Sequence, residues 1–307
     1  MKNCHAFSHF NLKNTLLGLI LSLGLGLGLG LAQAETHLMP GSTSVNLMEG
    51  KIAPLAGVSL WYIDTQTKPD QEVIVLLHPN SGSSELWEPQ IRAFSKAGYR
   101  VIAFDRRSWG KSRATTPADN GALSIAEDLE HLTSYLNIKK FNLLGIAGGG
   151  FAALDYASDH QENLIRLIVG GSTAQLSDPE MLHIVERIEI PGIRKTPTYF
   201  REVGPSYRAA NEEGTKAWVE IEERSIQEGA KSQKLHTPNT LTKIAKIQTP
   251  TLVIAGDADL LAPPALMHHW ADLLPHHQWA NMPGIGHALS WEAPELFNQL
   301  VLDFLKK

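Results

Sequence analysis

One cysteine in 307 residues leaves almost no sulfur chemistry to consider. That residue, Cys4, sits in a leader-like segment, so the chain after it has no disulfide, no thiol nucleophile and no thiolate metal site. Charge is sparse as well. Asp, Glu, Lys and Arg make up 19% of the residues, the formal net charge is −5, and no long run of Lys or Arg occurs. A phosphate-binding surface needs a basic patch, so nucleic acid is not an expected partner. Hydrophobic residues, at 43%, are those of a globular chain rather than a disordered one. The length suits one well-buried domain with an insertion better than two independent catalytic domains.

The first 34 residues differ from the rest. Lys2 and Lys13 precede an apolar run over 16–32 built largely of Leu and Gly, and Ala32-Gln33-Ala34 follows. This is the layout of a secretory signal peptide covering 1–34, with small side chains at the two positions a signal peptidase reads and Glu35 opening the mature chain. An uncleaved membrane anchor is the alternative. The run is at the short end of what crosses a bilayer, and its glycines weaken helix formation. The expected location is periplasmic or secreted, with membrane contact only if the segment is retained.

Beyond a loose leader over 35–56, strands and helices alternate. Residues 58–63 alternate apolar and polar like a half-exposed strand. Residues 73–77, 100–104, 141–146 and 164–170 are short apolar runs, the mark of strands buried on both faces. Helical periodicity occupies 86–97 and 123–136, and resumes after the glycines at 148–150. This rhythm predicts a mostly parallel, eight-stranded sheet flanked by helices. It breaks between 174 and 239, where polar helical stretches near 180–189 and 212–226 replace any buried strand. A structureless loop of that length is improbable in a compact domain, so the segment reads as an inserted helical cap. The core then comprises 35–173 and 240–307, closing with a strand at 251–255, a helix at 263–271, a short strand near 277–280 and a helix over 293–305.

The informative segment is Leu143-Leu144-Gly145-Ile146-Ala147-Gly148-Gly149-Gly150. A strand runs directly into glycines and then a helix, at a cost in helix propensity that something else must offset. Sharp strand-to-helix turns need small neighbours around a strained apex. A phosphate-binding loop would also be glycine-rich. This one lacks the Gly-Lys-Ser or Gly-Lys-Thr ending, and it is not at the first strand of a dinucleotide unit.

Five segments in order resemble the α/β-hydrolase superfamily, in its cap-bearing lipase/esterase-like branch. His78-Pro79-Asn80-Ser81-Gly82 resembles the oxyanion loop, and Tyr99 to Arg106 with Gly110 and Ser112 the next strand and loop. Gly145-Ile146-Ala147-Gly148-Gly149 occupies the Gly-x-Ser-x-Gly elbow. Ala255-Gly256-Asp257-Ala258-Asp259 resembles the loop that presents the triad acid, and Gly286-His287 with Glu292, Pro294 and Phe297 the histidine loop and last helix. The resemblance implies His287 as general base and Asp259 as its orienting acid, with Asp257 the runner-up. It implies an oxyanion hole from the N–H groups of Gly148 and Asn80, the Asn80 side chain being a possible extra donor. The order elbow, acid, histidine is the one this superfamily uses.

The departure is Ala147 at the nucleophile position, because a methyl group cannot attack a carbonyl. Three readings stand side by side. His287 and Asp259 assist non-covalent chemistry on a small ester, lactone or other carbonyl compound; or the chain is an inactive small-molecule binder; or it is an engineered Ser-to-Ala variant of a serine hydrolase. No cofactor or metal is called for, since neighbouring side chains of His268-His269 and His276-His277 point apart. Arg106 and Arg107 beside Asp105 read as an ion-pair cluster or an anion-recognition feature. Trp218 and Tyr207 read as pocket lining or as the small core of the cap. The expected partner is a small molecule, and the expected assembly a monomer or homodimer.

Overall fold

A computed structural model describes residues 47–307; the signal-peptide reading lies outside them. The chain begins with a hairpin, β1 (Gly50–Leu55) and β2 (Val58–Asp64), turning at Gly57 with φ 71°. Then follow β3 (Val73–Leu77), α1 (Glu88–Lys96), β4 (Arg100–Phe104), the two-residue β5 (Arg113–Ala114), α2 (Ile125–Tyr135), β6 (Phe141–Ile146), α3 (Gly148–Asp159) and β7 (Leu164–Gly170). Four helices without a strand come next: α4 (Pro179–Ile188), α5 (Thr198–Glu202), α6 (Pro205–Ala210) and α7 (Glu212–Ser225). The chain closes with α8 (Leu241–Ile244), β8 (Thr251–Gly256), α9 (Pro264–Ala271), β9 (His277–Met282), α10 (Leu289–Glu292) and α11 (Pro294–Leu305).

The sheet order is β1-β2-β4-β3-β6-β7-β8-β9, with β5 paired to β2. From β4 to β9 every pairing is parallel, while β1 and β2 are antiparallel. Eight strands thus lie along the main path and the short β5 makes a ninth. The strand β1 falls inside the stretch read as a loose leader. Pro54 argues against a strand in the sequence, yet proline is tolerated where a strand forms the sheet edge, and β1 is that edge.

The pleat sorts the core into two layers. In β3, Val73, Val75 and Leu77 pack on one face against Leu129 and Leu132 of α2, Tyr156 of α3 and Trp270 of α9. Ile74 and Leu76 point to the other face, against Ile91 and Phe94 of α1 and Phe297 and Val301 of α11. Alternation with period two does this sorting, so continuous apolar runs are what two covered faces require. A capping box holds the start of α2, with Ser124 and Glu127 each bonding the other's backbone N–H, a device worth about 1 kcal/mol. The helices between β7 and β8 add a small third cluster in which Val203, Trp218 and Ile221 meet Leu86 and Ala288. No helix among the described residues is long and apolar enough to cross a membrane.

This topology positions a site. Sheet order runs outward in opposite directions from the β3/β6 junction. In open parallel sheets such a switch point leaves a crevice at the carboxyl ends of the strands.

Candidate active site

Residue 147 is the apex of the β6–α3 turn. Ala147 holds φ 50° and ψ −116°, a conformation that costs a non-glycine residue on the order of 1–3 kcal/mol. Its N–H donates to Gly170 O at 2.9 Å, and its carbonyl accepts from the buried Ser172 hydroxyl at 3.1 Å. The flanking glycines are there because side chains do not fit. A Cβ on Gly145 would lie 2.3 Å from Gly149 O, and one on Gly149 would lie 2.1 Å from Leu77 O. Backbone meets backbone at both points, so neither contact can yield by a side-chain rotation.

Asn80 follows β3 across the switch point. A Cβ on Gly148 would fall 2.2 Å from Asn80 Oδ1, so the two residues read as oxyanion donors are in direct contact. Gly148 opens α3, and the first N–H groups of a helix have no intrahelical acceptor. The Arg106 guanidinium donates to Asn80 Oδ1 at 2.8 Å and to Pro79 O at 2.9 Å. That leaves the Nδ2 hydrogens as the donating end of the Asn80 amide. Trp109 Nε1 donates to Asn80 O at 2.8 Å, and the Arg106 guanidinium lies 4.8 Å over the Trp109 ring.

The arginine pair therefore divides its work, and neither side chain ion-pairs with Asp105. Arg107 makes a buried, bidentate pair with Asp128, at 2.8 and 2.7 Å. Arg106 is buried without a carboxylate in contact; burial lowers its pKa to about 9, with Asp105 opposing at longer range. Asp105 instead accepts from the backbone N–H groups of Ser84 and Lys111, both at 2.7 Å. His78 accepts from Arg106 N through Nε2 at 3.1 Å and contacts Pro79 O through Nδ1. Burial and the Arg106 charge hold its pKa well below the ordinary value, so it is a neutral strut of the loop.

His287 sits in the loop between β9 and α10. Its Nδ1 lies 2.8 Å from Asp259 Oδ2, and both residues are buried. Asp259 Oδ1 accepts from Leu261 N and Ala262 N, each at 2.8 Å, which fixes the carboxylate. Asp257 is engaged elsewhere, accepting from Gly284 N. Burial disfavours charge on His287, but Asp259, Glu202 and Glu292 together outweigh it and raise the pKa to about 9. The same pairing overcomes burial at Asp259 and lowers its pKa below the ordinary value. At neutral pH His287 is therefore an imidazolium facing carboxylates.

Two of those carboxylates carried no role in the sequence reading. Glu292 accepts from Gly286 N at 3.0 Å and from Ala288 N at 3.2 Å, bracketing His287 from both sides. Glu202, the last residue of α5, accepts the Ser81 hydroxyl proton through Oε2, while its backbone carbonyl accepts from Ala288 N at 2.9 Å. Pro79, Ile146, Glu202, Trp218 and His287 line one cavity. Only about 10 Å³ of it is open to the centre of a water molecule, which is room for about one water. Trp218 thus belongs both to the small cluster and to the cavity wall. A larger groove on the outside of α5, α6 and α7 contains none of these residues. The adjacent histidines are also placed: His268 stacks on Trp279 and contacts Asp272, and His277 contacts Leu274 O.

A family model for the alpha/beta hydrolase fold matches residues 72–203. A Yersinia enterocolitica protein named "Putative carbamate hydrolase RutD" is 27% identical over 253 residues, covering 79% of this chain and 90% of that one. The malate-bound structure of a thermophilic esterase from Thermogutta terrifontis is 25% identical, with a TM-score of 0.67, covering 81% of this chain and 93% of that one. The enol-lactonase structure from Burkholderia xenovorans has a TM-score of 0.69 at 22% identity, covering 84% and 100%. The chain has the α/β-hydrolase fold, and the parallel sheet flanked by helices is its core.

Proposed function

We propose that this α/β-hydrolase-fold chain cleaves or rearranges a small ester, lactone, carbamate or related carbonyl compound without a covalent enzyme intermediate. The observation that carries the reading is the Asp259–His287 pair, held at 2.8 Å at the sheet edge where Ala147 keeps the strained elbow backbone. A relative at 27% identity named for carbamate hydrolysis and an esterase structure at 25% support an acyl substrate. In this reading the Gly148 and Asn80 N–H groups receive the carbonyl oxygen, where donors preset for a developing oxyanion lower the barrier most. Water replaces the missing serine hydroxyl as nucleophile. His287 enters charged, as a hydrogen-bond donor and proton source for the departing atom. A space that holds one water does not admit an ester, so the helices over the site must shift to let the substrate in.

The test is turnover of p-nitrophenyl acetate, a six-membered lactone and an aryl carbamate by the parent and by His287→Ala. At least one compound should be converted, with kcat lowered on the order of 10²–10⁴-fold in the variant, which should still unfold cooperatively, at a temperature lowered by loss of the buried pair. Saturable binding of all three without conversion would instead make the chain a binding protein.

A further inference from the structure

We propose that the Glu202 carboxylate is the general base of this site, taking the proton of the attacking water that a serine–histidine pair would otherwise handle. The inference rests on the hydrolytic reading above. Ala147 has removed the hydroxyl that His287 would deprotonate, and a charged His287 cannot accept a proton. Something else must.

Glu202 is built into place from both ends. Its backbone carbonyl is bonded by Ala288 N, one residue from His287, at 2.9 Å. Two residues further on, Gly204 packs so closely on Gly286 that a Cβ on Gly286 would lie 2.5 Å from Gly204 N. Val203 between them is buried with Trp218 and Ala288. The strip 202–204 is thus strapped along 286–288, and Glu202 and His287 line the same one-water cavity. The Ser81 hydroxyl, donated from the loop that carries Asn80, engages Oε2.

The charges around Glu202 suit a base. Burial raises its pKa, against the opposing influence of His287, the Ser81 hydrogen bond and Arg201, while Glu222 adds to the rise. A carboxylate whose pKa is raised holds a proton more firmly than an ordinary one, the direction that general-base work calls for. His287 faces Asp259 and Glu292 in addition to Glu202.

The step balances. The water oxygen bonds to the carbonyl carbon as the π pair moves onto the oxygen held by Gly148 and Asn80, and one water proton passes to Glu202. The oxyanion then reforms the carbonyl, the bond to the leaving oxygen or nitrogen breaks, and the His287 proton goes to that atom. Neutral His287 recovers its proton from Glu202, directly or through water, and an acid and an alcohol or amine depart.

The test uses Glu202→Gln and Glu202→Asp with whichever compound of the panel the parent converts, together with NMR titration of ¹³C-labelled histidine, His287 being assigned by its loss in His287→Ala. In Glu202→Gln, kcat should fall on the order of 10²–10⁴-fold, the acidic limb of the kcat–pH profile should vanish, and the His287 pKa should drop. Glu202→Asp should restore part of kcat and bring the limb back. Turnover that needs His287 but keeps its rate and acidic limb in Glu202→Gln would overturn the base role alone. A His287 titration unmoved by Glu202→Gln would overturn it too. A parent that converts nothing would overturn the hydrolytic reading and the base role together.

Discussion

At residue 147 a methyl group occupies a backbone conformation, φ 50° and ψ −116°, that a non-glycine residue holds only at a cost. The strain persists because the surrounding backbone leaves no alternative: Gly145, Gly149 and Leu77 are packed atom against atom, and Ala147 N–H is tied to Gly170 O. Introducing a hydroxyl there is then a local change. Ala147→Ser should give a folded protein that a fluorophosphonate probe labels, while the parent stays unlabelled. Labelling should strengthen as pH rises toward 9, because His287 must lose its proton before it can serve as the serine's base. Labelling of the parent would mean that another serine, such as Ser172 or Ser108, reacts. A variant unlabelled even at high pH would show that the Asp259–His287 pair does not reach residue 147.

At the level of elements, the glycines that begin α3 are set by close neighbours, Asn80 at Gly148, Leu77 of β3 at Gly149 and Ser172 with Val169 at Gly150, not by the helix. Intrinsic propensity favours alanine over glycine within a helix by up to about 1 kcal/mol. Overpacking against a rigid neighbour costs typically about 1–3 kcal/mol, and an added Cβ at Gly149 would lie 2.1 Å from the Leu77 carbonyl oxygen. The second effect wins, so Gly149→Ala should destabilise by about 1–3 kcal/mol in urea unfolding. An unchanged or raised midpoint would mean that β3 and α3 separate freely, and the elbow argument would fail. Elements differ in how well the chain announces them. The core strands and α2, with its Ser124 cap, are legible from apolar runs and capping residues. The strand β1 is not, because Pro54 suits an edge whose existence depends on the rest of the sheet. Glu202 is not either: it ends a five-residue helix among polar residues, and only the strap to Ala288 distinguishes it from its neighbours.

For the whole molecule, the buried His287–Asp259 pair ties stability to pH. The folded His287 pKa, about 9, lies above the ordinary histidine value of 6.5. Its contribution is therefore fully present below about pH 6.5 and is lost as pH rises through 9. The lowered Asp259 pKa works oppositely, with a contribution present above its ordinary value near 3.8 and lost as acid drives the pH through the folded value. Linkage for one proton amounts to at most about 1.4 kcal/mol per pH unit. Thermal unfolding should accordingly show the parent losing stability between pH 7 and 9.5, and His287→Gln losing less over the same interval. Parallel curves for the two proteins would mean that His287 does not hold its proton in the folded state.

The sequence by itself determined the layers, the elbow and the order of the candidate groups. The first two depend on local quantities, strand and helix periodicity and the room a glycine leaves, and the third on the resemblance of the motifs around Asp259 and His287. Only the tertiary structure decided which charges face one another. Arg107 belongs to Asp128 rather than Asp105, Arg106 holds Asn80 and His78, and Glu202 closes on the His287 loop from a segment more than eighty residues earlier, opposite the nearby Glu292. Electrostatic partners are set by distance through space and by burial, to which order along the chain is only a weak guide. That is why the resemblance in the sequence implies a base at His287, while the fold surrounds it with carboxylates that raise its pKa to about 9.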